Sequence, residues 1–83
     1  MNILWDEPKR LANLAKHGLD FADLDPRFFE NSLIAAANLG RLVAVGRLND
    51  GVVTVVFVTL GTEGVSIISM RRASRKERRL IDG

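Results

Sequence analysis

The chain contains no cysteine, so it has neither a disulfide framework nor a thiolate metal ligand or nucleophile. A single histidine, His17, excludes a zinc site built from several imidazoles. Long apolar runs are missing too. The longest, Val52 to Leu60, has nine residues and includes Thr54 and Thr59, whereas a membrane-spanning helix needs about 20. The opening Met1-Asn2-Ile3-Leu4-Trp5-Asp6 lacks the basic-then-apolar plan of a signal peptide. No glycine-rich phosphate loop opens a helix, no Ser-His-Asp set is assignable from spacing, and no carboxylate cluster has metal-site spacing. Internal repeats, linkers and low-complexity segments are absent. The expectation is a soluble, cytoplasmic protein that works without a cofactor and does not enter the membrane.

What is present fits one folded unit. Eighty-three residues at 47% hydrophobic and 27% charged composition can form a core but seldom two, so residues 1–83 read as a single domain. The net charge is only +2, yet it is unevenly placed. Residues 1–40 carry a net −2 and residues 41–83 a net +4. Six bases, Arg71, Arg72, Arg75, Lys76, Arg78 and Arg79, fall within nine residues. The charge is a patch.

Met1–Trp5 reads as a short strand. Asp6 can cap a following helix, with Glu7 and Pro8 in its first turn and Gly18 as its C-terminal stop. Leu11, Leu14 and Ala15 are its expected buried face, with Lys9, Asn13 and Lys16 turned toward solvent or a ligand. A second helical segment begins near Asp20, carrying Phe21, Leu24 and Phe28. Asp25-Pro26 is a fresh start signal, so this segment divides into a turn and a short second piece. From Leu33 the period changes to two: Leu33–Ala37, Leu42–Leu48, Val52–Leu60 and Val65–Met70 read as strands joined by hairpin turns. Ser74 and Glu77 fit a capping box that opens a short basic helix. The order β-α-α-β-β-β-β-α predicts an α+β fold with a mainly antiparallel sheet of four or five strands.

Val52–Leu60 is apolar on both faces, so both need cover. Two N-terminal helices can cover one face, and the C-terminal helix only part of the other. Either the chain itself buries this strand, or a partner completes the second face.

The basic cluster suits phosphate contacts, although a solvated helix also favours Arg and Lys. Arg71 and Arg72 precede the helix at a strand end, where consecutive residues point to opposite faces and serve different ends. Lys16-His17 ends the first helix, and an imidazole can act as acid or base in phosphodiester cleavage. A histidine at a helix C-terminus equally makes a favourable dipole contact. Arg41 and Arg47 share one face of a strand about 20 Å apart, too far to grip one phosphate together. Glu77 serves the capping box first. If the chain is an enzyme, it works without a metal, and RNA suits this toolkit, because its own 2′-OH can attack the adjacent phosphate while the protein positions it and stabilises charge.

Trp5-Asp6-Glu7-Pro8-Lys9, Asn13, Lys16-His17-Gly18-Leu19 and Phe21 resemble the opening signature of the BrnT toxins. Ile67-Ile68-Ser69-Met70-Arg71-Arg72-Ala73-Ser74-Arg75-Lys76-Glu77-Arg78 is similar to that family's C-terminal signature, and Arg41 and Val43-Ala44-Val45-Gly46 also match. The resemblance implies a RelE-like fold and a ribonuclease that arrests translation in a type II toxin–antitoxin system. It also implies a BrnA-like antitoxin with a ribbon-helix-helix part, through which the complex meets operator DNA. The residues expected to carry catalysis are Lys16, His17, Arg71 and Arg72, with Arg41, Arg75 and Lys76 contacting RNA. Three positions depart from the pattern. Leu60 and Ser66 stand where the family has arginines, and Ile81 where it has an aromatic, commonly Tyr, which this chain lacks altogether. Each lost anion-stabilising group would cost about 10²–10³-fold in rate. The alternative expectation is therefore a non-enzymatic module that binds an antitoxin and acts in autoregulation.

Overall fold

The computed structural model describes residues 1–83. Strands β1 (Asn2–Trp5), β2 (Leu33–Ala36), β3 (Leu42–Leu48), β4 (Gly51–Leu60) and β5 (Gly64–Arg72) form one sheet in the order β1-β5-β4-β3-β2. The last four make the antiparallel meander expected from the short turns, and β1 adds parallel to β5 at one edge. Helices α1 (Glu7–His17) and α2 (Pro26–Glu30), with a 3₁₀ turn at Phe21–Asp23 between them, follow β1; α3 (Arg75–Asp82) follows β5.

Local chemistry explains the breaks. Gly18 closes α1 in the left-handed region at φ 68°, donating its N–H to Leu14 O. Asp20 Oδ1 accepts from Ala22 N at 2.9 Å, and Asp25 Oδ1 accepts from Phe28 N at 3.0 Å. The second helical segment is accordingly split, as the Asp25-Pro26 signal predicts. The β3–β4 turn places Asn49 at φ 55°, a conformation asparagine tolerates. Asp6 departs from expectation: it occupies the cap position of α1 but makes no side-chain cap bond. The local acid that works there is Glu7, which accepts from Trp5 Nε1 at 3.1 Å and pairs with Arg10. Arg10 also forks onto Asp20 at 3.0–3.1 Å, tying α1 to the turn that follows it.

The sheet has one closed face. Val53, Val55, Phe57, Val65, Ile67 and Met70 lie under Phe21, Leu24 and Phe28, and Trp5 and Phe29 add edge-to-face aromatic contacts. Gly46 lets α2 approach β3: a methyl group there would run into Ser32 Oγ and lie 3.2 Å from Phe28 Cε1.

The expected burial of α1 is reversed. Leu11 is 53% exposed and Leu14 and Ala15 are also exposed, whereas Asn13 is buried. The reason is hydrogen bonding. Asn13 Nδ2 donates to Leu19 O at 3.2 Å, and its Oδ1 accepts from Met70 N at 3.0 Å. β1 pairs with β5 only as far as Ile67, so Met70 has no strand to bond on that side. The amide satisfies it.

The other face is closed only at one end. Val45, Val52 and Thr54 are buried beneath α3. Glu77 accepts from Thr54 Oγ1 at 3.0 Å over β4, and Asp82 pairs with Arg47 on β3. The helix thus runs from the end of β5 across β4 to β3.

Candidate functional site

Apart from Arg41, the sequence-predicted site residues lie on β5, α1 and α3. Beyond Ile67, β5 has no strand on its outer side, and Ile68 is an extra residue that forms a bulge: Val56 pairs with Ser69 while Phe57 pairs with Ile67. Between this edge and α1 lies a cleft of about 280 Å³ lined by Lys9, Asn13, Lys16, His17, Ile68 and Ser69, together with Ala12. Its lining holds no carboxylate. Lys9, Lys16 and His17 are exposed and form no ion pair. Lys9, expected to face solvent or a ligand, and Ser69 were given no catalytic or RNA-binding role in the sequence. The signal for Lys9 is its seven-residue spacing from Lys16, two helical turns along one face; nothing local marks Ser69, whose place depends on the bulge.

Arg71 and Arg72 follow Ser69 by two and three residues, about 7–10 Å farther along the strand. They do diverge. Arg71 faces α3 and forks onto Glu77, Nη1 to Oε1 at 2.7 Å and Nη2 to Oε2 at 3.0 Å; Nη1 also donates to Arg72 O at 3.3 Å. Its Nε–H keeps no intramolecular partner. Glu77 meanwhile accepts from Ser74 N at 2.8 Å and Thr54 Oγ1 at 3.0 Å, and Ser74 Oγ accepts from Glu77 N at 3.1 Å. The predicted capping box is present, and its carboxylate also fixes Arg71. The Arg71 guanidinium, then the Ser74 and Thr54 donors, hold the Glu77 carboxyl down at about 2 despite partial burial, and Glu77 raises Arg71 in turn.

Arg72 lies beside Gly51, in a second cleft of about 290 Å³ with Arg47, Asp50, Arg78 and Asp82. Arg47 is paired there with Asp82, while Arg72 and Arg78 carry no ion pair. Arg75 shares a third, shallower depression with Arg78, Arg79 and Asp82. Lys76 is exposed on α3, and Arg41 is exposed at the start of β3, after the turn in which Leu39 adopts φ 61°. No cleft brings Lys16 and His17 together with Arg72. No group of three His, Cys, Asp or Glu side chains converges anywhere in the chain.

Leu60 and Ser66 lie on the sheet face that α3 only partly covers: Val58 is opposite Ser66 and shares its face with Val56 and Leu60. Leu60 is 44% exposed. The two positions where arginines are implied thus share one surface, and here it carries no charge at either. Ile81 is half-buried on α3.

Comparison with known proteins bears on the whole arrangement. A family described as "Ribonuclease toxin, BrnT, of type II toxin-antitoxin system" matches residues 5–77. The 1.1 Å crystal structure of the Brucella abortus ribonuclease toxin BrnT superposes with a TM-score of 0.85 at 49% sequence identity, covering 90% of this chain and 99% of that one. Among curated protein sequences, none matches. The opening signature and all of the C-terminal one but Arg78 fall within residues 5–77, and the chain belongs to the BrnT family of ribonuclease toxins of type II toxin–antitoxin systems.

Proposed function

We propose that this chain is a cytoplasmic ribonuclease that cleaves RNA without a metal, arrests translation and is neutralised by a BrnA-like ribbon-helix-helix antitoxin. It meets operator DNA only through that antitoxin. The observation that carries this reading is the α1–β5 cleft, where Lys9, Lys16 and His17 line a concave surface free of carboxylates. A polyanion is attracted there and a metal ion is not.

The chemistry follows from RNA itself. The 2′-oxygen forms a bond to phosphorus as the bond to the 5′-oxygen breaks. His17 or Lys16 takes the 2′-hydroxyl proton and returns one to the leaving oxygen. Arg71 or Arg72 holds the scissile phosphate and stabilises charge on the phosphorane, with Glu77 setting the orientation of Arg71. Arg41, Arg75 and Lys76 attract neighbouring phosphates. The test is cleavage of total RNA in the presence of chelator by wild type, His17→Ala, Arg71→Ala and Arg72→Ala. The variants should lose about 10²–10³-fold in rate. Equal cleavage by all four proteins would sink the assignment.

One observation favours a second reading, a binding module without nuclease activity. The surface bearing Leu60 and Ser66 is aliphatic where the family resemblance implies two arginines. Expression without an antitoxin separates the readings: a nuclease stops growth, and a binding module does not.

A further inference from the structure

The half of the sheet that α3 leaves open has a defined shape and chemistry. Register places its side chains in rows. Leu4 lies beside Ser66 and Val58; Ser69 lies beside Val56, Val43 and Ala35. Leu4 and Leu60 are 53% and 44% exposed, and Val43, Val56 and Val58 are half-buried. Arg41, two residues before Val43, shares this face at the β3 end. α3 walls the opposite side; Lys76 is exposed on the flank of this helix away from Arg78 and Asp82. The nearest carboxylates on α3, Glu77 and Asp82, are already bound to Arg71 and Arg47.

We infer that this surface is the seat of one amphipathic helix of the antitoxin, about 13 residues long, with an aliphatic stripe and acidic flanks. The inference rests on the antitoxin part of the proposed function and says where that partner binds. The dimensions fit. Five strands at about 4.8 Å spacing make a floor about 19 Å across, the length of roughly 13 helical residues. From Thr54, beneath α3, to Val58 is about 14 Å along the strand, enough for a second helix to lie beside α3 at the usual 8–10 Å.

The occupant is a protein rather than RNA because the floor has nothing on which a base can stack. All five aromatic residues, Trp5, Phe21, Phe28, Phe29 and Phe57, belong to the closed face or its helices. An aliphatic floor with a cationic rim matches an acidic amphipathic helix. Seated there, it covers Ser69 and the approach to Arg71 and so separates RNA from that arginine.

The test uses the full chain and the protein encoded beside its gene. Leu4→Glu combined with Leu60→Glu should weaken that complex at least about tenfold, while Leu11→Glu and Leu39→Glu, at exposed leucines elsewhere, should change it less than about twofold. Circular dichroism and Tm check that each variant folds. A second measurement needs no charge insertion. Because the chain has no cysteine, Leu60→Cys supplies a unique maleimide target, which should react at least about tenfold more slowly in the complex than free, with Leu11→Cys unaffected. Wild-type affinity in the double variant, or unprotected Cys at position 60, overturns the placement while leaving the antitoxin reading intact. Failure of the wild type to bind its neighbour overturns both. Loss of a homodimer, or of RNA binding alone, in the double variant assigns the face to a second copy or to RNA and likewise overturns the placement.

Discussion

On one face of the sheet, Val53, Val55, Phe57, Ile67 and Met70 lie beneath Phe21, Leu24 and Phe28; on the other, α3 covers Val45, Val52 and Thr54 and stops. The two faces are built from alternate residues of the same strands, so strand propensity cannot distinguish them. What differs is the amount and kind of cover. The segment of residues 6–30 that follows β1 supplies the closed face with three large aliphatic or aromatic anchors, Phe21, Leu24 and Phe28. Eight residues after β5 supply the other; four of them are cationic, and the helix is tied down by the Glu77–Arg71 and Asp82–Arg47 ion pairs. Apolar packing is therefore concentrated on one side. Substitutions should separate accordingly.

The largest effect is expected from Phe21→Ala, which empties the centre of the closed face and should cost about 3–5 kcal/mol in denaturant unfolding. An effect below about 1 kcal/mol would mean that this cluster does not dominate the fold. Next comes Asn13→Ala, which leaves the Met70 N–H and Leu19 C=O without partners and should cost about 2–3 kcal/mol. Gly46→Ala forces Ser32 and Phe28 apart and should lower stability by about 1–3 kcal/mol, visible as a drop in Tm.

On the open side the expected changes are smaller. Glu77→Gln should cost about 1–2 kcal/mol at neutral pH, after allowing for the solvent around this pair. The wild-type carboxyl is depressed from 4.5 to about 2, so its contribution is complete above about pH 4.5. It declines as the pH falls and is gone below about pH 2. Stability curves of wild type and Glu77→Gln should therefore converge in acid; a constant gap would show that the lost bonds are not ionic. Leu4→Ser, on the uncovered floor, should move stability by less than about 0.5 kcal/mol.

The contrast between faces also marks what the sequence discloses. Leu42–Leu48 and the Ser74–Glu77 capping box were legible because their signals are local: period-two alternation bounded by turn residues, and a cap three residues from its acid. The split at Asp25-Pro26 was legible for the same reason. Asn13 was not. Its burial answers an unpaired N–H on a strand 57 residues away, and hydropathy assigns the core face of α1 to Leu11 and Leu14 instead. At the site, Lys16-His17 and Arg71-Arg72 stood out as pairs of functional groups. The Thr54 and Arg71 bonds to Glu77, the Arg47–Asp82 pair and the entry of Ser69 into the α1 cleft all depend on register and on the Ile68 bulge. Register is a property of the assembled sheet.

The most direct measurement is the chemistry of the RNA ends produced by the purified chain in the presence of chelator. Attack by the 2′-hydroxyl, assisted only by the protein's own Lys, His and Arg side chains, predicts 2′,3′-cyclic phosphate and 5′-hydroxyl ends, lost in His17→Ala and Arg72→Ala. Cleavage that appears only with a divalent cation and leaves 3′-hydroxyl and 5′-phosphate ends would contradict the account.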